Sequence, residues 1–219
     1  AIPKHWQSLA EALAIQCFLN EYVYSQSREE EKLVKQLIHS SSKTQESFKQ
    51  YLATVACYIP IYHLKFNHDW LNDFPTTNEE SRTLVQTQLQ EPQEEERIKA
   101  SIPSDSEMTD AISIKVQDMY EDNPYPRYRY ANYTDKSQAK TISEFIKIES
   151  TKNDLQFPEA LTSHYSRPKV LIAGCGTGNQ VINASRFKNS HITAIDLSSA
   201  SLAYAIRKAK EYEMENIAF

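Results

Sequence analysis

Three glycines stand at Gly174, Gly176 and Gly178, and the 219-residue chain uses glycine nowhere else. Glycine costs backbone entropy and returns access to positive φ and close backbone approach. Their clustering in Val170-Leu171-Ile172-Ala173-Gly174-Cys175-Gly176-Thr177-Gly178-Asn179 therefore marks a turn with a local purpose. Lys169 to Ala173 before it reads as a short buried strand, and Asn179 to Phe187 after it as a helix. Strand, glycine turn and helix together point backbone N–H groups and a helix N-terminus at a ligand. A second strand reads at His191 to Ile195 and ends on Asp196, 18 residues beyond Gly178. A carboxylate at that place in a βαβ unit accepts two hydroxyl donors at once, which is the chemistry of ribose recognition.

The spacing separates nucleotide classes. Dinucleotide folds favour G-x-G-x-x-G, with a third glycine for helix–strand packing. Here the pattern is G-x-G-x-G, with Asn179 where that third glycine would stand, and no Walker lysine follows, which argues against a nucleotide triphosphatase. Cys175 lies inside the turn, either as a reactive thiol activated by a helix N-terminus or as a small side chain beside a ligand. Asn123-Pro124-Tyr125 superficially matches an Asn-Pro-Pro-aromatic motif, but the aromatic comes one place early and the segment before it reads as helix.

The elements that must position these residues are mostly helical. Residues 4–24 read as a helix with an apolar stripe of Trp6, Leu9, Ala10, Leu13, Ala14, Cys17 and Phe18. Ser27 and Glu30 form a capping-box pair for a helix over Arg28 to His39. Further helices are expected from Gln45 to Tyr58, over the aromatic stretch Tyr62 to Phe74, from Asn78 or Thr77 through Leu89, and in a short segment from Glu91. The proline-containing, acidic run Ile102 to Ser106 marks the main boundary. Beyond it, helices are expected from Thr109 to Tyr120, ending before Pro124, and from Ser137 to Glu149. Ser198 or Ser199 caps a helix with Leu202, Ala205, Ile206 and Ala209 on its apolar face, and Asn216 to Phe219 opens a third strand. The expected division is a helical domain at 1–105, a helical connector at 106–166 and an α/β half-sheet at 167–219.

Bulk properties narrow the partners. The net charge is −5, and it resides in the first 108 residues, which carry 10 Lys and Arg against 16 Asp and Glu. A general polyanion-binding surface is disfavoured there. Cys17, Cys57 and Cys175 are dispersed and odd in number, so a disulfide scaffold or zinc site is not expected and a reducing, cytoplasmic setting is. His63, His68 and Asp69 do not share a helix face, and no metal site is expected. The longest apolar stretch, Tyr51 to Leu64, is too short to span a bilayer.

Ala173-Gly174-Cys175-Gly176-Thr177-Gly178 and Ala194-Ile195-Asp196-Leu197-Ser198 resemble motifs I and II of class I S-adenosylmethionine-dependent methyltransferases. The preceding Tyr120-Glu121-Asp122-Asn123-Pro124-Tyr125-Pro126-Arg127 resembles a segment ahead of motif I in bacterial methyltransferases attached to tetratricopeptide-repeat regions. Cys17 to Tyr24 is similar to part of those proteins too. The resemblance implies a Rossmann-like sheet with strand order 3-2-1, truncated after motif II and the third strand, and S-adenosyl-L-methionine as cofactor. It implies that Gly174, Cys175, Gly176 and Gly178 approach the methionine portion, that Asp196 binds both ribose hydroxyls, and that Leu197 packs on adenine. Ile172 stands where the class usually has an acid. The implied activity is methyl transfer to an unidentified acceptor, with no catalytic residue named; the alternative is a non-catalytic helical interaction or assembly module carrying an incomplete half-sheet. Tyr120, Tyr125 and Tyr128 are candidate lid residues over the cofactor. Arg127 and Arg129 among tyrosines suit single-stranded nucleic acid only weakly on an acidic protein; a protein partner for the helical domain is the stronger expectation.

Overall fold

The computed structural model describes residues 3–41, 45–64, 78–103, 109–131, 137, 139–158 and 167–219. By compactness the chain divides into two units, Ala1–Arg97 and Ile98–Phe219. No helix among the described residues is long and apolar enough to cross a membrane.

The first unit is helical. A 3-10 turn at Lys4–Trp6 leads into α1 (Gln7–Leu19), followed by α2 (Arg28–Ser41) and α3 (Gln45–Ala56). The Ser27–Glu30 capping box forms: the Ser27 N–H donates to Glu30 and the Glu30 N–H to Ser27 Oγ. Helix α1 is shorter than the expected span of residues 4–24, and only half of its apolar stripe is inside. Ala14, Cys17 and Phe18 are buried, whereas Trp6, Leu9 and Leu13 are about half exposed. The helix stops because Glu21 and Tyr22 adopt left-handed φ. That turn carries the Tyr22 hydroxyl to the carbonyl of Ala56, at 3.1 Å. Of the aromatic stretch Tyr62 to Phe74, only Tyr62 to Leu64 belong to the described residues, at the end of a 3-10 turn over Ile61–His63. His68, Asp69 and the rest of the expected helix through Phe74 lie outside them.

The stretch expected to form two helices around Pro92 is continuous. Helix α4 (Glu79–Val85), capped by Asn78, passes through a π-helical turn at Gln86–Gln90 into α5 (Glu91–Lys99). Proline has no N–H to give and its ring crowds the carbonyl four residues back. The widened turn, with the Glu91 N–H reaching Gln86, places the π-segment directly before Pro92. The same turn buries Gln88 completely. Its amide donates to the carbonyls of Ala14 (2.9 Å) and Ala56 (3.3 Å), and its Oε1 accepts from the Ile61 N–H at 3.2 Å. One side chain thus cross-links α1, α3 and the 3-10 turn inside a core of Phe48, Leu52, Val55 and Leu84.

The second unit carries α6 (Ala111–Asp122), α7 (Ile142–Asn153), β1 (Lys169–Ala173), α8 (Asn179–Ala184), β2 (His191–Ile195), α9 (Ser199–Glu211) and β3 (Ile217–Ala218). The strands are parallel in the order β1-β2-β3, the order 3-2-1 that the resemblance implies. Val170 pairs with Ile192 and Ile172 with Ala194. That face is buried against Val181, Ala184 and Leu202 of α8 and α9. The opposite face, with Leu171 and Ile195, is exposed. Helix α7 starts later than expected because Thr141 and Glu144 form a capping box. Helix α8 ends at Ala184 rather than Phe187. Residues after it are drawn into a bridge, in which the Lys140 N–H donates to Arg186 and the Lys188 N–H to Lys140.

Replacing Gln88 by leucine removes both amide donations and leaves the buried Ile61 N–H without its acceptor, so the chain is expected to lose about 1–3 kcal/mol of stability. Urea unfolding followed by far-ultraviolet circular dichroism measures it, and an unchanged midpoint contradicts the cross-link.

Candidate functional site

The glycine turn is built from backbone constraints. All three glycines have positive φ: +68° at Gly174, +52° at Gly176 and +88° at Gly178. They are not equivalent. A Cβ on Gly174 or Gly176 meets no atom within 4 Å, whereas a Cβ on Gly178 falls 2.6 Å from the Cβ of Ala205. Gly178 therefore lets α8 approach α9, while Gly174 and Gly176 line open space. That space is a cleft of about 1000 Å³ whose walls include Gly174, Cys175, Gly176, Asp196 and Leu197. Five of the six residues expected from sequence at the cofactor site thus share one cleft. Gly178 stands behind it as the packing glycine.

Asp196 ties the turn to the end of β2. Its Oδ2 accepts from the Gly176 N–H at 2.7 Å and its Oδ1 from the Ser198 N–H at 2.9 Å. The Cys175 N–H reaches the Ile195 carbonyl at 3.0 Å. Each carboxylate oxygen retains a lone pair beyond its backbone bond, and the residue stays partly accessible from the cleft.

The remaining wall comes from α6 and the segment after it. Val116, Gln117, Tyr120, Tyr125 and Pro126 line the cleft, and Tyr125 is 61% exposed. Tyr128 is placed differently from the other two candidate lid residues. Its hydroxyl donates to the Thr177 carbonyl (3.0 Å), and its backbone exchanges bonds with the Tyr204 hydroxyl (2.9 and 2.7 Å). Burial, and then the neighbouring Tyr204, pushes its phenol above the usual tyrosine range, so it stays a neutral donor. Thr177 answers with a bond from Oγ1 to the Pro126 carbonyl at 2.8 Å. The segment is fixed to the glycine turn from behind, while Tyr120 and Tyr125 face the cleft.

Sequence reasoning missed Gln117, Glu121 and Thr177. Gln117 Nε2 donates to the Leu197 carbonyl at 2.8 Å. Glu121 accepts from Ser199 Oγ at 3.0 Å and pairs with Lys99 at 2.7 Å. The spacing of four between Gln117 and Glu121, on a helix expected only as a connector, was the signal available for those two.

Cys175 is buried, and burial first, then the Asp196 charge, pushes its thiol up to about 12. The thiol remains protonated at neutral pH, so the turn does not activate it. Among the described residues no cluster of His, Cys, Asp or Glu could hold a metal ion.

Two predictions follow from this geometry. Gly178→Ala should cost more stability than Gly176→Ala, whose penalty is the roughly 1–2 kcal/mol of a left-handed non-glycine residue; thermal melts of both compare them, and equal losses refute the packing role. Alkylation of Cys175 by iodoacetamide at pH 8 should run on the order of a hundredfold slower in the folded than in the urea-unfolded chain, because only the thiolate reacts. Peptide mass spectrometry reads the rate, which should climb only as the pH rises towards the shifted value.

Residues 170–219 match the family model described as a methyltransferase domain. No curated protein and no solved structure gives a significant match. The match begins at β1 and spans the glycine turn, Asp196 and β3, and it supports a class I S-adenosylmethionine-dependent methyltransferase domain over that stretch.

Proposed function

We propose that the cleft binds S-adenosyl-L-methionine for methyl transfer to an acceptor. The observation that carries this reading is the pairing of two cradle glycines with one carboxylate across the same opening. A Cβ at Gly174 or Gly176 would project into space that is otherwise clear, and Asp196, bonded to the Gly176 N–H, lines the same cleft with acceptor capacity left over. A cofactor with an amino-acid end and a ribose fits such a division. The volume, about 1000 Å³, leaves room for an acceptor beside it.

In this reading the glycine backbone receives the methionine portion, Asp196 accepts from both ribose hydroxyls, and Leu197 covers one face of the base. When bound, the cofactor supplies an electrophilic methyl group, so the protein's contribution is alignment and exclusion of water. Tyr120 and Tyr125 suit the second task. They stand on a segment resembling the one ahead of the glycine motif in methyltransferases attached to tetratricopeptide-repeat regions, and they shield the cleft as a lid. Tyr128 serves the lid from behind by fixing its base to Thr177.

Calorimetric titration with S-adenosylhomocysteine tests the assignment. Asp196→Ala removes two charge-assisted hydrogen bonds and should weaken binding by about 3 kcal/mol or more, roughly a hundredfold. Tyr125→Ala should weaken it by about three- to tenfold through lost burial. Binding that survives the Asp196 change rejects the ribose role, and binding unaffected at Tyr125 rejects the lid.

A further inference from the structure

The turn after β2, residues 196–201, must hold its shape for Asp196 and Leu197 to face a ligand, yet it contains no proline to stiffen it. Its own bonds are short-range. Ser198 N–H donates to Asp196 Oδ1, and Ser198 Oγ caps α9 by accepting from the Ser201 N–H at 3.0 Å. Beside the Asp196 bond to Gly176, a further long-range restraint comes from α6. Gln117 donates to the Leu197 carbonyl. One turn further along, Glu121 accepts from Ser199 Oγ with both oxygens, at 3.0 and 3.2 Å, and from the Ala200 N–H at 3.3 Å. Lys99 completes this carboxylate's shell at 2.7 Å. Glu121 is about one-fifth exposed at its side chain, enough shielding for these bonds to resist competition from water.

We propose that Glu121 and Gln117 are positioning residues for the cofactor site. From α6 they hold the Leu197–Ala200 turn, and through it the Asp196 carboxylate and the Leu197 side chain, in the arrangement that receives ribose and base. This rests on the S-adenosylmethionine reading above. The same helix carries Val116 and Tyr120 into the cleft wall, so the restraint also couples that wall to the ribose side. Burial raises the proton affinity of Glu121, but the Lys99 ammonium, the Ala200 N–H and the Ser199 hydroxyl together outweigh it and hold the carboxyl below its ordinary range. The group is therefore an anion through the neutral range, accepting every bond offered to it.

A double-mutant cycle on the 219-residue chain separates positioning from general support, because residues acting through one another are non-additive. Calorimetry with S-adenosylhomocysteine would compare the wild type, Glu121→Ala, Glu121→Gln, Gln117→Ala, Asp196→Ala, and the Asp196→Ala double variants with Glu121→Ala and with Gln117→Ala. Thermal melts establish that each variant folds. Glu121→Ala should weaken binding about tenfold, and Glu121→Gln, which keeps an acceptor oxygen, should recover most of it. Because the part carried by Asp196 is already gone, Glu121→Ala should cost at least about twofold less in the Asp196→Ala background than in the wild type. A Glu121→Ala loss that adds in full to that of Asp196→Ala overturns the proposal, as does no loss at all. If Glu121→Ala fails to fold, the Gln117→Ala cycle decides on the same criterion. Wild-type protein that does not bind S-adenosylhomocysteine overturns the cofactor reading and this inference together. Wild-type binding that is lost in Asp196→Ala but unchanged in both α6 variants overturns the positioning role alone.

Discussion

The second unit depends on one carboxylate bonding two backbone N–H groups. Asp196 joins the turn after β1 to the turn after β2 by receiving Gly176 and Ser198. The loops at the ends of these adjacent parallel strands share one backbone bond, from the Cys175 N–H to the Ile195 carbonyl, and the carboxylate adds a second tie between them. A charged acceptor makes stronger hydrogen bonds than a neutral one, so a single aspartate can set both loops at once. The consequence is that the group expected to meet a ligand is also the group that shapes the opening. Function and local order share the same four lone pairs.

Around that constraint, close approach is achieved by subtraction. Gly178 has no Cβ, and Ala205 has little else, so α8 and α9 meet at a separation no larger pair would allow. Both helices lie on the sheet face carrying Val170, Ile172, Ile192 and Ala194. Leu171 and Ile195 on the opposite face remain exposed. The glycine turn and the Asp196 turn thus rest on a packed layer on one side only. Their rigidity has to come from that layer, from each other, and from the α6 segment beside them.

The parts legible in the sequence were those governed by local rules. The glycine cluster, the strand leading to Asp196, the Ser27–Glu30 capping box and the serine cap of α9 all express backbone chemistry within a few residues, whereas the strand order came with the family resemblance. The elements misjudged were those decided by distant partners. Trp6, Leu9 and Leu13 share a helical period with Ala14 and Phe18, but nothing local tells which half of a wide stripe the rest of the helical unit will cover. Glu91 and Pro92 read as the start of a separate short helix, and only the π-turn before them, built around buried Gln88, reveals a continuous one. Within the site, Gly178 was readable as glycine but not as the one facing α9, since Ala205 lies 27 positions away. Tyr128 was grouped with its neighbours by composition, whereas its bonds to Tyr204 and Thr177 are tertiary.

The tyrosine- and arginine-rich segment after Pro124 acquires its logic from these bonds. An irregular strand laid over a helix carries carbonyls and N–H groups that need partners. Here α9 and the residue that ends it supply them from side chains: Tyr204 serves Tyr128, the Lys208 ammonium serves the Arg129 carbonyl at 2.7 Å, and the Tyr212 hydroxyl serves the Ala131 N–H at 2.7 Å. The Lys208 ammonium also lies over the Tyr128 and Tyr212 rings and pairs with Glu211, which offsets the cost of burying it. The Arg127 guanidinium lies over Tyr204 and that of Arg129 over Tyr130. Alternating aromatic and cationic residues thereby act as a strap. The strap holds residues 126–131 still against α9, so that the exposed ring just before it, Tyr125, can face the cleft from a fixed base.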